Sequence, residues 1–381
     1  MKLFKLISVL AAAVLVFTAL PRGSVTALSG EELTAPSAIL MDAATGKVLF
    51  EKNAHEVRAC ASITKVMTLL LVMEALDSGK LQFTDTITAS SHAASMGGSD
   101  IWLEPGETMT ADDMIKATIV ASANDAAVAL AEHLCGTEEA FVAEMNRKAA
   151  ALKMQETVFK NCNGLDEEGH VTSAYDVAVM SKELLRHPKI LEYSGIWMDE
   201  LRGGKTQLVN TNKLLKSYKG ITGLKTGTTS QAGSCITATA ERDGLSLVAV
   251  VLGSASGKER FADAAKLLDD GFANYAMVKP ELPEGAVTEL PVRNGMCDKV
   301  GTTAAVSHPL LMEKGSGKQL KAEVILPQEL EAPIVKGAVV GQILYKSGGK
   351  QIAEYPIAAA EDVKEINFGD VFGMLMGALS G

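Results

Sequence analysis

Cysteine pairs, metal-ligand clusters and basic stretches are missing from this sequence of 381 residues. Its five cysteines are scattered along the chain, odd in number, and never form a Cys-x-x-Cys pair. A disulfide framework and a structural zinc site are therefore not expected, and no metal or other cofactor is predicted. The net charge of -10 disfavours binding to nucleic acid.

Several common catalytic motifs are absent as well. The sequence has no His-Glu-x-x-His zinc-protease motif, no Gly-x-Ser-x-Gly nucleophile elbow and no phosphate-binding glycine loop. The six histidines are dispersed, so their spacing gives no support to a Ser-His-Asp triad. The acidic pair Glu167-Glu168 is interpreted as a solvated turn rather than a carboxylate dyad.

The N-terminus has the layout of a secretory signal. Lys2 and Lys5 precede an uncharged run from Leu6 to Leu20, and small residues follow at Val25-Thr26-Ala27. The run is short for a membrane span, so residues 1–27 are predicted to be a signal peptide, with an uncleaved anchor as the alternative. Either way we expect export. Removing residues 1–27 takes away three basic residues and no acidic ones, which moves the net charge from -10 to -13.

Strand and helix patterns follow one another in three blocks. Apolar runs at 38–41 and 47–50 predict a hairpin. Helices are predicted over 62–77, 110–120, 124–134, 138–153, 175–186 and 262–275. Strands are predicted over 220–228, 234–240 and 246–252, the last two joined by a turn at Asp243-Gly244. Strands at both ends and helices in the middle predict an α/β (α+β) domain over 34–279, in which helices and an inserted helical lobe flank one antiparallel sheet.

The composition changes near Pro280. Strand-like runs at 320–326, 341–345 and 352–356, separated by turns rich in glycine and proline, predict a small all-β domain over 283–368. Residues 369–381 form an apolar tail that is too short to span a bilayer. Its apolar residues recur at helical spacing, which is compatible with weak peripheral attachment to a membrane.

Three short motifs carry the chemistry of the chain. They are Ser62-Ile63-Thr64-Lys65, Ser122-Ala123-Asn124 and Lys225-Thr226-Gly227, in that order. Residues three apart on a helix share a face, so Lys65 can take the proton of the Ser62 hydroxyl, provided that burial keeps the amine neutral. Alone, this spacing also arises by chance: a second copy, Ser347-Gly348-Gly349-Lys350, is interpreted as a turn.

The other two motifs suit a substrate with a peptide bond and a carboxylate. Ser122 can relay a proton at a predicted helix break, and Asn124 can donate to an amide oxygen, although both residue types also serve as simple N-caps. Lys225 and Thr226 suit a carboxylate, and Gly227 permits close approach of a ligand to a strand edge. An ordinary strand end is the alternative for this third motif.

Together the three motifs resemble the active-site set of serine-type D-alanyl-D-alanine carboxypeptidases, which are low-molecular-mass penicillin-binding proteins. The resemblance extends over 58–68, 97–131, 161–176, 210–253, 333–337 and 340–341. It implies a β-lactamase/transpeptidase-like fold, followed by the family's C-terminal β domain. The implied partners are a peptidoglycan stem peptide and β-lactam antibiotics, at the outer face of the cytoplasmic membrane or in the cell wall of a bacterium.

The resemblance also implies a role for each site residue. Ser62 would be the acylated nucleophile, Lys65 its general base and Ser122 the proton relay. Substrate binding would fall to the remaining positions, with the backbone amides of Ser62 and Thr228 forming an oxyanion hole: Asn124, Lys225, Thr226, Gly227, Thr228 and Arg260. Thr228 replaces a histidine seen in some members of the family.

Three other functions stay open from the sequence. A DD-endopeptidase uses the same machinery. A β-lactamase shares the first and third motifs, but no convincing Glu-x-x-x-Asn loop lies between Glu156 and Asp176, and the extra β domain also argues against it. A catalytically silent cell-wall binding protein would require a broken motif, and none is broken.

Overall fold

The computed structural model describes residues 28–380. The predicted signal peptide over 1–27 therefore lies outside the described residues. The helices of the described chain are Lys65–Asp77 (α1), Ser91–Ala94 (α2), Ala111–Lys116 (α3), Asn124–Cys135 (α4), Glu138–Ala151 (α5), Ala174–Leu184 (α6), Lys189–Ser194 (α7), Leu214–Ser217 (α8), Gly257–Asn274 (α9) and Phe368–Ser380 (α10).

Seventeen strands lie within the same described residues. They are Ser37–Asp42 (β1), Val48–Lys52 (β2), Thr86–Thr88 (β3), Thr108–Thr110 (β4), Met198–Leu201 (β5), Thr206–Val209 (β6), Ile221–Thr229 (β7), Gly233–Arg242 (β8), Leu245–Ser254 (β9), Tyr275–Val278 (β10), Glu289–Arg293 (β11), Lys299–Ala304 (β12), Leu310–Glu313 (β13), Lys321–Ile325 (β14), Leu330–Glu331 (β15), Val339–Ser347 (β16) and Lys350–Ala359 (β17).

A five-stranded antiparallel sheet in the order β2-β1-β9-β8-β7 organises the first domain. The predicted hairpin of β1 and β2 is confirmed, as is the turn between β8 and β9, where Asp243 and Gly244 both have positive φ. The central strands β1 and β9 are buried on both faces. Along β9, Val248 and Val250 pack under the helical lobe, whereas Leu247 and Val251 pack under α9.

The helical lobe is inserted between β2 and β7, and the predicted fold class is confirmed. The helix over 262–275 is predicted too short at its start. It begins at Gly257, because the Ser256 hydroxyl accepts a hydrogen bond from Glu259 N at 3.2 Å and caps the first turn. Gly271 lets this helix lie close to the sheet, since a Cβ there would meet Leu247 Cδ1 at 2.6 Å.

The C-terminal part is an all-β unit. Its six-stranded sheet has the order β14-β16-β17-β12-β11-β15, with a small core that includes Ile343, Tyr345, Tyr355 and Ile357. The sequence predicted β14, β16 and β17 but missed β11, β12 and β13. Strand β10, which directly follows α9, pairs with β13 and so joins the two units.

The apolar tail is a helix, α10, with most of its side chains exposed. Its exposed apolar residues are Phe368, Val371, Phe372, Met374, Leu375, Met376 and Leu379. Within residues 28–380 no helix combines the length and apolarity needed to cross a membrane.

Candidate active site

Ser62 lies in a short 3-10 turn, Ala61–Thr64, that leads into α1. An α-helix starting at Ser62 was expected from the sequence, and that expectation is wrong, because the α-helix begins at Lys65. Side chains three residues apart eclipse one another in a 3-10 turn. Ser62 and Lys65 therefore lie closer together than they would in an α-helix. Lys65 Nζ donates to Ser62 Oγ at 3.1 Å.

Two glycines fit against this turn from either side. A Cβ on Gly164, whose φ is +88°, would lie 2.0 Å from the carbonyl oxygen of Ala61. A Cβ on Gly227 would lie 2.9 Å from both Ser62 N and the carbonyl oxygen of Cys60. The sequence predicted that Gly227 admits a ligand. In the structure Gly227 admits the turn that carries Ser62, which places Ser62 N directly beside strand β7.

A buried histidine, His170, supports the Ala61–Thr64 turn through hydrogen bonds. His170 Nδ1 accepts a hydrogen bond from Lys160 N at 3.1 Å, so its proton sits on Nε2, which lies 2.7 Å from Thr64 Oγ1. The Thr64 hydroxyl in turn donates to the carbonyl oxygen of Ala61 at 2.9 Å. Burial lowers the pKa of His170 to about 4, so the ring is neutral at ordinary pH. His170 therefore positions the Ser62 turn without touching Ser62.

Lys65 is fully buried and is held by three oxygen atoms. Besides Ser62 Oγ, its amine donates to Asn124 Oδ1 at 2.5 Å and to the carbonyl oxygen of Asn163 at 2.6 Å. Burial lowers the pKa of Lys65 to about 7, an effect partly offset by the nearby acidic groups Cys162, Asp100 and Asp125. A large share of the amine is therefore neutral at pH 7 and able to accept a proton.

Ser122 follows a π-helical turn at Ala117–Ala121 that extends α3. Its own backbone is left-handed, with φ at 62°, and the side chain is almost fully buried. Such turns and strained residues concentrate at functional sites. Ser122 Oγ accepts a hydrogen bond from Lys225 Nζ at 2.8 Å.

Asn124 is the first residue of α4 and does not cap it. The N-cap is Ala123, which has no capping side chain, so the capping role considered from the sequence is wrong. The Asn124 amide bridges two walls of the site: Oδ1 accepts from Lys65, and Nδ2 donates to the carbonyl oxygen of Gly97 at 2.6 Å. The neighbouring Asp125 binds the amides of Ile101 and Leu103.

The third motif lies on β7, an edge strand of the sheet. Lys225 is buried, and burial lowers its pKa well below the ordinary value, with repulsion from Lys65 and Arg260 adding to the effect. The Thr226 hydroxyl donates to Thr211 Oγ1 at 2.6 Å. Arg260 reaches β7 from the first turn of α9, where its Nη1 donates to Gly227 O and Thr228 Oγ1, both at 2.8 Å.

Three basic side chains thus converge without an acidic side chain in ion-pair contact. Among residues 28–380, no ion pair within 4.0 Å involves Lys65, Lys225 or Arg260. Arg260 Nε is also buried without a hydrogen-bond partner there. Buried cations without a carboxylate are costly, so the site is complementary to an anionic group from outside the chain.

All nine residues predicted from the sequence belong to this one site or its direct support, through the contacts given above. Sequence reasoning missed Asn163, Gly164 and His170. A signal was available, because all three lie in 161–176, the segment already singled out by resemblance. In the part of the chain that the structure describes, no cluster of three or more His, Cys, Asp or Glu side chains is arranged to hold a metal.

Comparisons with known protein families give two matches that together cover most of the chain. Residues 24–256 match the D-alanyl-D-alanine carboxypeptidase family, and residues 280–365 match the C-terminal domain of penicillin-binding protein 5. The chain is 45% identical to the D-alanyl-D-alanine carboxypeptidase DacF of Bacillus subtilis, over 88% of this chain and 87% of that protein. It is 34% identical to DacA of Escherichia coli, over 88% and 85% of the two chains.

Solved structures agree with the sequence relatives. Penicillin-binding protein 5 from Haemophilus influenzae superposes with a TM-score of 0.74 at 31% identity, over 89% of this chain and 100% of that one. Penicillin-binding protein D2 from Listeria monocytogenes in its ampicillin-bound form gives 0.55 at 34% identity, over 63% and 98%. The fold, the clustered motifs and these matches agree, and the chain belongs to the D-alanyl-D-alanine carboxypeptidase family of penicillin-binding proteins.

Proposed function

We propose that this chain removes the terminal D-alanine from peptidoglycan pentapeptide stems through an acyl-enzyme on Ser62. One observation carries the proposal: the amine of Lys65, fully buried and with its pKa lowered to about 7, lies 3.1 Å from Ser62 Oγ. A serine hydroxyl becomes a useful nucleophile only when such a base accepts its proton.

In the acylation step, Ser62 Oγ attacks the carbonyl carbon of the last peptide bond while Lys65 takes the hydroxyl proton. The developing oxyanion is held by the backbone amides of Ser62 and Thr228, since Ser62 N lies beside Gly227, the residue before Thr228. The peptide C–N bond then breaks, and a proton passes through Ser122 to the amine of the departing D-alanine. Water subsequently attacks the ester and restores Ser62.

The substrate carboxylate is proposed to complete the cationic cluster. Lys225, Thr226 and Arg260 offer charge-assisted hydrogen bonds to a terminal carboxylate, with Thr228 beside them. A bound carboxylate would favour the charged form of Lys225, which burial disfavours. Asn124 would contact the substrate amide oxygen through the second N–H of Nδ2, since the first N–H donates to the Gly97 carbonyl oxygen and Oδ1 accepts from Lys65.

β-Lactams are proposed to acylate the same serine, because they present a strained amide and a carboxylate in the order that this site requires. Support comes from the ampicillin-bound form of the Listeria protein, which shares 34% of its residues with this chain.

We also propose export and a peripheral position at the membrane. Residues 1–27 would act as a signal peptide, residues 34–279 as the catalytic domain and 283–368 as a β domain, with the apolar side chains of α10 providing weak attachment. These features would place the enzyme at the outer face of the cytoplasmic membrane or in the cell wall of a bacterium.

The first test is D-alanine release from a pentapeptide ending in D-Ala-D-Ala, comparing residues 28–381 with the Ser62→Ala variant. We expect release by the wild type and none by the variant, with a labelled penicillin attached covalently only to the wild type. Penicillin labelling without D-alanine release, combined with cleavage of a cross-linked muropeptide, would reassign the chain as a DD-endopeptidase. If the labelled penicillin does not attach to a folded wild type, the proposed acyl-enzyme on Ser62 is refuted.

A further inference from the structure

The side chain of Trp102 is 80% exposed, although tryptophan is usually well covered in a folded protein. Its backbone is left-handed, with φ at 54°, a conformation that bulky residues rarely adopt. The residues on either side, Ile101 and Leu103, are buried. The chain is therefore anchored before and after the indole and projects it into solvent.

The anchoring uses four backbone groups. The amides of Ile101 and Leu103 donate to the Asp125 carboxylate at 3.1 and 3.0 Å. The carbonyl oxygens of Ile101 and Trp102 accept from the Arg202 guanidinium at 2.8 and 3.4 Å. Arg202 is itself fixed by an ion pair with Glu107 at 2.7 Å. Strain held in place by several contacts is typical of a functional position.

The backbone on either side of this exposed indole is tied to the wall of the catalytic cleft. Asp125, which holds both of its neighbours, is the residue after Asn124 in α4. Asn124 binds the catalytic amine of Lys65 and also the carbonyl oxygen of Gly97, in the segment that leads to Trp102. Trp102 thus belongs to the rim of the wall that carries Asn124.

The surroundings of Trp102 narrow the class of partner. In sequence, the exposed residues beside it are Gly97, Gly98 and Ser99 on one side and Glu104, Pro105 and Gly106 on the other. This set contains one carboxylate, Glu104, and no cation, and the Arg202 guanidinium that contacts the Trp102 carbonyl oxygen is paired with Glu107. The exposed set is not an apolar patch of the size that protein interfaces use. A lone aromatic face with a polar rim suits a neutral partner that has an apolar face and polar edges.

A pyranose ring has this combination, because its axial C–H bonds form an apolar face and its hydroxyl groups surround the edge. We propose that Trp102 is a stacking platform for a sugar ring of the glycan strand that carries the stem peptide. The inference rests on the proposed function, since a peptide attached to glycan brings a sugar ring to the rim of the site. In this proposal Trp102 contributes to specificity by binding the glycan to which the peptide is attached.

The test compares two substrates that differ only in the sugar: the free pentapeptide and the disaccharide pentapeptide. We expect Trp102→Ala to lower kcat/KM roughly five- to tenfold on the disaccharide pentapeptide, with no change on the free pentapeptide. Trp102→Phe should restore most of the loss, whereas Trp102→Leu, which is apolar but has no ring face, should not. Equal losses of kcat/KM on both substrates, or no loss on either, would refute the proposal that Trp102 stacks on a sugar ring.

A binding measurement separates this inference from the proposed function. Trp102 and Trp197 are the only two tryptophans of the chain, so Trp197→Phe leaves Trp102 as the sole indole fluorophore. We expect its emission to change saturably with a β-1,4-linked N-acetylglucosamine oligomer, even in a Ser62→Ala background that releases no D-alanine. Absence of a response to the oligomer, or a response to neutral lipid vesicles instead, would refute a sugar platform.

Discussion

The chain contains two Ser-x-x-Lys sequences, and the structure places them in very different surroundings. Ser62 and Lys65 lie in a 3-10 turn and the first position of α1, with the lysine fully buried. Ser347 and Lys350 face each other across the tight turn between β16 and β17, with the lysine exposed. The spacing is the same in both copies. Burial of the lysine and oxygen partners for its amine are what make one copy a candidate active site.

The largest expected effect comes from removing each lysine in turn. Lys65→Ala should lower kcat/KM for D-alanine release by about 10²- to 10⁴-fold, because the Ser62 hydroxyl loses its base. The matched variant Lys350→Ala should leave kcat/KM unchanged. Kinetic assays on both variants, with circular dichroism to check folding, make the comparison. A folded Lys65→Ala enzyme with more than a tenth of the normal rate would contradict the base assignment.

The two Ser-x-x-Lys regions can also be compared through a glycine of positive φ in or beside each of them. Gly164→Ala would place a Cβ 2.0 Å from the Ala61 carbonyl oxygen, whereas Gly349→Ala meets nothing within 4 Å. We expect Gly164→Ala to slow acylation by a labelled penicillin roughly 100-fold, because the Ser62 turn must shift. Gly349→Ala should only lower the melting temperature slightly. Equal acylation rates in the two variants would show that the Ser62 turn tolerates displacement.

The pH profile tests the buried amine directly. Since the pKa of Lys65 is lowered to about 7 and only the neutral amine accepts a proton, kcat/KM should fall about tenfold per pH unit below this value and level off above it. Lys350→Ala should retain this inflection. A rate that is flat from pH 5 to pH 8 would mean that Lys65 is not the titrating base.

A smaller effect is expected at Arg260, where the change concerns binding. Arg260→Ala should raise KM about tenfold, because a charge-assisted hydrogen bond to the substrate carboxylate is lost. The wild type should also discriminate against a substrate whose C-terminus is amidated, and the variant should discriminate much less. If the variant keeps the full preference for a free carboxylate, Arg260 serves only to hold the Gly227 carbonyl.

The smallest effect on catalysis should come from deleting α10, residues 368–381. D-alanine release from a soluble pentapeptide should be unchanged, because none of the residues placed in the site lies in α10. Co-sedimentation with neutral lipid vesicles should fall, since the exposed Phe372 and Leu375 are removed. Unchanged sedimentation would refute the proposed attachment.

Much of the first domain could be predicted because its signals are local. Strands β1 and β9 are buried on both faces, so they appear as continuous apolar runs, and Asp243-Gly244 is a strong turn signal. The start of α9 was also within reach, because Ser256 and Glu259 have the spacing of a capping box. Strands β11 and β12 were missed because Pro291 and Gly301 interrupt short runs with little alternation.

The site could be predicted as a set of residue types but not as a geometry. Nothing local shows that Lys65 is buried, since its burial comes from the Asn163 carbonyl and the Asn124 side chain, which are remote in sequence. For the same reason the sequence is compatible with a capping role for Asn124, whereas in the structure its side chain accepts a hydrogen bond from Lys65. The six histidines are too dispersed in sequence to predict a triad, and only the fold shows that one of them, His170, supports Thr64.

The pairing of β1 with β9 has a consequence for how this protein folds. Ser37 pairs with Leu252, so the middle of the sheet joins opposite ends of the catalytic domain. In a chain made from its N-terminus, β1 can pair early with β2, but its other edge has no partner until β9 has emerged, and such long-range pairing is slow. Ser62 and Arg260 therefore meet only in the completed domain. A chain with this topology therefore cannot bring the two ends of the site together until α9 has been made.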